Sequence, residues 1–150
     1  MPEQYSRPIK LIIVEDDKLY KTVLEDFFQD KTNFEIVGTA EDGQTAIYLS
    51  KEHSPDVVIM DLGLPVIQGK DAIKKIKEID STIKIVVLTS HIDENEAIES
   101  IAAGATAYVN KDIDIQHLNT IVQTVNNGAV WLSPLIGYKI LEEGIKHSQK

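Results

Sequence analysis

The sequence predicts an α/β fold: a doubly wound parallel sheet of five strands, helices on both faces, and one extra helix at the C-terminal end. Three observations predict it. Short runs dense in Ile, Leu and Val alternate with longer segments of helical period, the pattern of repeated βαβ units. The third run, Val57-Val58-Ile59-Met60, is apolar at every position, as a strand covered on both sides must be. The 150 residues and 43% hydrophobic content are enough for one domain with a real core.

The elements follow in order. "IKLIIV" (9–14) is a strand by its branched aliphatic density. In "DKLYKTVLEDFFQD" (17–30), Leu19, Val23 and Phe27, with Leu24 and Phe28, recur at helical spacing, and Asp17 is placed to cap the first turn. "FEIVGTA" (34–40) is a second strand, Glu41-Asp42-Gly43 a turn with a capping acid, and "QTAIYLSKEH" a helix. After the third strand, "KDAIKKIKEI" sets Ile73, Ile76 and Ile79 against a lysine face. "IKIVVLTS" (83–90) is the fourth strand, and "DENEAIESIAA" a helix stopped by Gly104. "TAYVN" (106–110) is a short fifth strand. The following helix carries Ile115, Leu118, Ile121, Val122 and Val125 on one stripe. Beyond "NNG" (126–128) the pattern changes. Ser133 can cap a further helix that starts at Pro134, with Leu135, Ile136, Ile140 and Leu141 as its apolar stripe.

Composition narrows the function. A net charge of −9 repels phosphate backbones and argues against direct nucleic-acid binding by this chain. The absence of cysteine excludes disulfides and thiolate zinc sites. "MPEQYSRPIK" lacks the apolar centre of a secretion signal, and no apolar run reaches membrane-spanning length. A soluble, cytoplasmic protein without a membrane partner is expected.

In open α/β sheets, ligands sit outside the carboxyl ends of the strands. Here those ends carry Glu15-Asp16-Asp17, Asp61, Thr89-Ser90 and Asn110-Lys111. Singly, an Asp or Thr after a strand is a turn or cap residue and a Lys a solvated charge. Together they form one rim holding carboxylates, a hydroxyl and an ammonium. Carboxylates held close need a counter-charge, and oxygen donors suit Mg²⁺ or Ca²⁺. Mg²⁺ on few carboxylates keeps positions open for phosphate oxygens. Lys111 supplies the charge for a phosphate and Thr89 a hydroxyl donor. Asp61, fixed by a buried strand yet reachable from its loop, is placed to act as nucleophile and become an aspartyl phosphate.

Other chemistries fit less well. An aspartyl-phosphate phosphohydrolase needs a second acid two residues past Asp61, where this chain has Gly63. "GLPVIQGKD" has the wrong spacing for a P-loop and lacks the Ser or Thr after Lys70. The loop after the first strand is acidic and repels a flavin phosphate. His53, His91, His117 and His147 show no paired metal-ligand spacing.

In order, "LIIVEDD", "PDVVIMDLGLP", "GKDAIKKIK", "IVVLTS" and "AGATAYVNKD" resemble a response-regulator receiver domain of two-component signalling, over about residues 8–128. The resemblance implies a flavodoxin-like strand order, 2-1-3-4-5. It implies that Glu15 and Asp16 form the acid pair for Mg²⁺, Asp16 being the direct ligand. Gly63 lends the metal its backbone carbonyl, and Asp61 is the phosphoacceptor. Thr89 is the switch hydroxyl, Lys111 pairs with phosphoryl oxygens, and Tyr108 is the switch aromatic that turns inward. The implied partners are a sensor histidine kinase and, after activation, a second copy of the chain or an output partner. The resemblance further implies that catalysis is confined to self-phosphorylation and self-dephosphorylation at Asp61.

The stretch "KDIDIQHLNTIVQTVNNGAVWLSP" is similar to the NarL/FixJ subfamily, where a DNA-binding domain follows the receiver. Residues 129–150 are therefore expected to be a helix and linker, and the chain a receiver piece of a longer transcription regulator. A single-domain regulator is the alternative. Two departures stand out. Asp112 follows Lys111 where many receivers have proline, which leaves the geometry of that peptide bond open. Gly63 and His91 occupy the positions that tune phosphate lifetime in the family, and His91 is expected to set part of it. A receiver fold that switches without phosphate remains the alternative function.

Overall fold

A computed structural model describes residues 7–64 and 69–148. Its elements, in chain order, are β1 (Ile9–Val14), α1 (Lys18–Gln29), β2 (Phe34–Ala40), α2 (Gly43–His53), β3 (Val57–Asp61), α3 (Gly69–Ile79), β4 (Lys84–Thr89), α4 (Glu94–Ala103), β5 (Ala107–Asn110), α5 (Ile115–Asn126) and α6 (Pro134–Ser148). All strand pairs are parallel, in the order β2-β1-β3-β4-β5. The expected fold class is therefore the observed one. β4 and β5 begin one residue later than expected, and β4 also ends one residue earlier.

Period-two alternation assigns each strand residue to a layer. Ile12, Val14, Val58, Met60, Ile85 and Val87 face a core closed by Ala46 of α2, Ala72, Ile73 and Ile76 of α3, and Ala97 of α4. Leu11, Ile13, Val57, Ile59, Val86 and Leu88 face the opposite core, closed by Leu24 and Phe28 of α1 and Leu118, Ile121, Val122 and Val125 of α5. The apolar face of α1 is narrower than its sequence stripe. Leu24 and Phe28 are fully buried, whereas Leu19 is 77% exposed and Val23 is 45% exposed.

Local capping fixes where the helices start. Asp17, Asp42, Asp93 and Asp114 each accept a backbone N–H from the first turn of α1, α2, α4 and α5. Gly104 ends α4 at φ 124°, a conformation that L side chains rarely adopt. Gly69 opens α3 so close to Leu62 that a Cβ there would lie 2.8 Å from the Leu62 Cα.

The C-terminal segment folds back onto the domain. Trp131 forms a parallel bridge with Ala107: its N–H donates to the Thr106 carbonyl at 2.9 Å, and its carbonyl accepts from Tyr108 N–H at 3.3 Å. α6 then starts as expected, Ser133 Oγ accepting the Ile136 N–H at 3.3 Å. Ile136 is 3% exposed and joins the α2–α4 core, with Ile140 packed alongside. Leu141, the outer member of the expected stripe, is 68% exposed. Pro65 and the side chain of Leu135 lie outside the described residues.

Candidate functional site at the carboxyl ends of the strands

β1 and β3 are adjacent and parallel, so their carboxyl ends deliver Glu15 and Asp61 to one place. Oxygens of Glu15, Asp16 and Asp61 all lie within 4.8 Å of one another. Glu15 and Asp61 are buried, and Asp16 is exposed. β5 ends one strand beyond β4 and sends Lys111 back across the rim. Its Nζ is 2.8 Å from Glu15 Oε1 and 3.3 Å from Asp61 Oδ2. The Lys111 chain lies near Tyr20, with Nζ 5.2 Å from the ring centroid. Tyr20 is a neighbour that helical spacing alone did not mark as part of the rim.

The electrostatics are those of a crowded anion cluster with one cation. Burial is the largest influence on Glu15, and its carboxyl is pushed up to about 7 despite the Lys111 ammonium and the Asp17 N–H. Burial alone lowers the Lys111 pKa, but Glu15 and Asp61 outweigh it and hold the ammonium above its ordinary value. Glu15 Oε2 accepts the Asp17 N–H at 3.0 Å. Glu15 Oε1 meets Lys111 as an ion pair but makes no aligned hydrogen bond among the described residues.

A hard divalent cation fits this donor set. Its three carboxylates carry more negative charge than one lysine offsets, every donor is oxygen, and one buried acceptor atom is left over. Gly63 lies beside the phosphoacceptor candidate, its N–H donating to Asp61 Oδ1 at 3.1 Å. A Cβ at Gly63 would meet Asp61 only at ordinary contact distance, so no steric demand fixes glycine there. The Lys111–Asp112 peptide bond is trans.

Thr89, at the end of β4, is 6% exposed and turns toward α4. Its hydroxyl reaches the His91 carbonyl at 2.9 Å and Glu96 Oε1 at 3.2 Å. No hydrogen bond joins it to Asp61 among the described residues. Tyr108 of β5 sits inward at 4% exposure, and its hydroxyl donates to the same Glu96 Oε1 at 2.7 Å. Burial first, then the Glu96 carboxylate, pushes the Tyr108 phenol up to about 12. Residues 15, 16, 61, 63 and 111 thus share one rim, with Thr89 and Tyr108 joined beside it through Glu96. Sequence reading missed Glu96. The Asp93-x-x-Glu96 spacing suggests only a capping box, and nothing in it points to the bond with Tyr108 on β5.

Comparison with known proteins bears on the fold and the family. The family model described as the response regulator receiver domain matches residues 11–123. The chain is similar to the transcriptional regulatory protein YdfI of Bacillus subtilis, 33% identical over 94% of this chain and 66% of that protein. It is also similar to the chemotaxis protein CheY of Bacillus subtilis, 34% identical over 78% of this chain and 98% of that one. A crystal structure of a LuxR-family two-component response regulator from Aurantimonas sp. superposes with a TM-score of 0.81 at 28% identity, covering 92% of this chain and 99% of that one. The chain spans only 57% of the DegU protein of Brevibacillus brevis and 64% of the LnrK protein of Bacillus subtilis, both transcriptional regulators. Fold, strand-end residues and family match converge, and the chain belongs to the response-regulator receiver domains of two-component systems.

Proposed function

We propose that this receiver is a phosphorylation-activated switch in which Asp61 accepts a phosphoryl group from a sensor histidine kinase or a small donor such as acetyl phosphate. An Asp61 carboxylate oxygen attacks phosphorus, the P–O or P–N bond to the donor breaks, and acetate or a kinase imidazole leaves with that bond's electrons. Hydrolysis by water returns the carboxylate and releases inorganic phosphate. Glu15, Asp16 and Asp61, with the Gly63 carbonyl, would hold Mg²⁺, which supplies charge neutralisation for the transferring group. Lys111 orients and neutralises phosphoryl oxygens from the opposite side. The new group adds roughly −1.5 to −2 charges at the rim, and Thr89 and Lys111 answer it. Movement of Thr89 changes the surroundings of Tyr108 and with them the α4–β5–α5 surface. The readout is a dimer or output contact in cytoplasmic transcription regulation, with DNA contacts made by a separate output domain.

The observation that carries this reading is the meeting of the Lys111 ammonium with Glu15 and Asp61 beside Asp16. The test is incubation with acetyl phosphate and Mg²⁺, followed by mass spectrometry. One added phosphoryl group is expected in the native protein and none in Asp61→Asn. No adduct, either with this donor or with a competent histidine kinase, overturns the reading in favour of a phosphate-independent interaction module.

A further inference from the structure

Glu96 is the third residue of α4, counted from the Asp93 cap, and its N–H donates to Asp93 Oδ1 at 2.9 Å. In a capping box, the acid at this position returns a hydrogen bond to the N–H of the cap residue. Here that N–H donates to the Tyr108 hydroxyl oxygen instead, at 3.1 Å. The Glu96 carboxylate is thereby released from capping. One of its oxygens accepts from both Tyr108, at 2.7 Å, and Thr89, at 3.2 Å. Tyr108 takes over the cap of α4, and Glu96 bridges β4 to β5.

A threonine hydroxyl has one proton, so it faces one strong acceptor at a time. In this structure the His91 carbonyl, at 2.9 Å, and Glu96 Oε1, at 3.2 Å, are the acceptors within its reach on the α4 side. A phosphoryl group on Asp61 brings competing oxygens of higher charge. When Thr89 turns to them, Glu96 Oε1 keeps Tyr108, its shorter partner, and loses the other.

We propose that Glu96 is a positioning residue of the switch: one carboxylate oxygen holds the Thr89 hydroxyl on the α4 side and couples its departure to Tyr108. This inference rests on the reading of Asp61 as phosphoacceptor. Glu96 makes no hydrogen bond to Glu15, Asp16, Asp61 or Lys111 among the described residues. It sets the resting position of the Thr89 hydroxyl, and it carries that hydroxyl's movement to β5.

The test uses the full chain with Mg²⁺ and beryllofluoride, a noncovalent mimic of the phosphoryl group. Affinity is read by fluorine NMR, and the response at β5 by emission of Trp131, the single tryptophan, whose carbonyl accepts the Tyr108 N–H. Glu96→Asp keeps the charge but withdraws the oxygen by one methylene. It is expected to bind the mimic about fivefold more tightly, the equivalent of one ordinary net hydrogen bond no longer opposing Thr89. Its Trp131 response should shrink, because Tyr108 no longer shares an acceptor with Thr89 and its hydrogen bond no longer changes when Thr89 leaves. A residue needed only for folding would not raise affinity while lowering response. In a Thr89→Ala background, Glu96→Asp should change affinity less than about twofold.

Affinity equal to the native protein, or a gain that persists without the Thr89 hydroxyl, overturns the role of Glu96 while leaving Asp61 untouched. A native protein that takes up neither beryllofluoride nor acetyl phosphate overturns both. If Glu96→Asp does not fold, Glu96→Gln in the same cycle decides the question. Only the part of its gain that disappears with Thr89→Ala belongs to the hydrogen bond; a gain that persists in full overturns the role.

Discussion

Asp61→Asn should stabilise the metal-free protein. Coulomb's law at an effective dielectric of about 20 puts the attraction of Asp61 to Lys111, at 3.3 Å, near 5 kcal/mol. Repulsion by Glu15, at no more than 4.8 Å, is about 3.5 kcal/mol or more on the same scale. Asp16 adds a smaller repulsion, because it is exposed and screened. To first order these contributions cancel. What remains is the desolvation of a carboxylate in a residue 7% exposed, offset within the described residues by the Gly63 N–H and not carried by the amide. The expected gain is about 1–3 kcal/mol, or roughly 3–10 °C in Tm for a domain of this size. The assay is thermal and urea unfolding in EDTA at pH 8.5, where Glu15 is ionised. It is then repeated in excess Mg²⁺, which should stabilise the native protein more than the variant and narrow the gap. A variant less stable than the native protein in EDTA at that pH, or a gap that Mg²⁺ leaves unchanged, would refute the reasoning.

Three other outcomes follow from the same structure. Glu15 carries a folded pKa of about 7 against 4.5 in the open chain, so the folded state binds the extra proton in that window. Metal-free stability should therefore fall as pH rises from about 4.5 to about 7, and Glu15→Gln should flatten that slope in urea titrations. Ile136→Ala should loosen α6 by about 2–3 kcal/mol, seen as faster amide exchange in α6 and around Trp131 while β1 and β3 amides stay protected. Asp56 accepts the Arg7 guanidinium at 2.7 and 2.8 Å and the Lys10 N–H at 2.8 Å. Burial opposes its ionised form, but these partners together hold its pKa below the ordinary value. Asp56→Ala should cost about 1–2 kcal/mol in urea unfolding at pH 7, less than a fully buried pair because Arg7 is exposed. That difference should vanish as pH falls below the folded Asp56 pKa.

The rim was legible because its information is local. Asp61 follows an unbroken apolar strand, and parallel strands place such followers along one edge whatever the loops do. The caps at Asp17 and Ser133 were legible for the same reason. Glu96 was not, because its partner lies twelve residues away on β5 and only the packing of α4 against the sheet brings them together. Leu19 and Val23 lie at the right period for a core, but period does not say how wide the buried stripe is. An apolar stripe such as the tail's can pack on its own domain or on a partner, and the sequence does not choose between them. Ile136 packs into the α2–α4 core, which the tail's own residues could not reveal.

The Trp131 bridge has a mechanical consequence. The backbone leaving the domain is laced to Thr106 and Tyr108 before α6 begins. A pull on the far end of α6 meets the Ile136 anchor in the α2–α4 core first, and once that anchor yields the Trp131 bridge passes the load to β5, the strand bearing the buried phenol. Coupling of this kind is reciprocal, so on the proposed reading of Asp61 a strain on the tail also biases phosphoryl uptake at the rim.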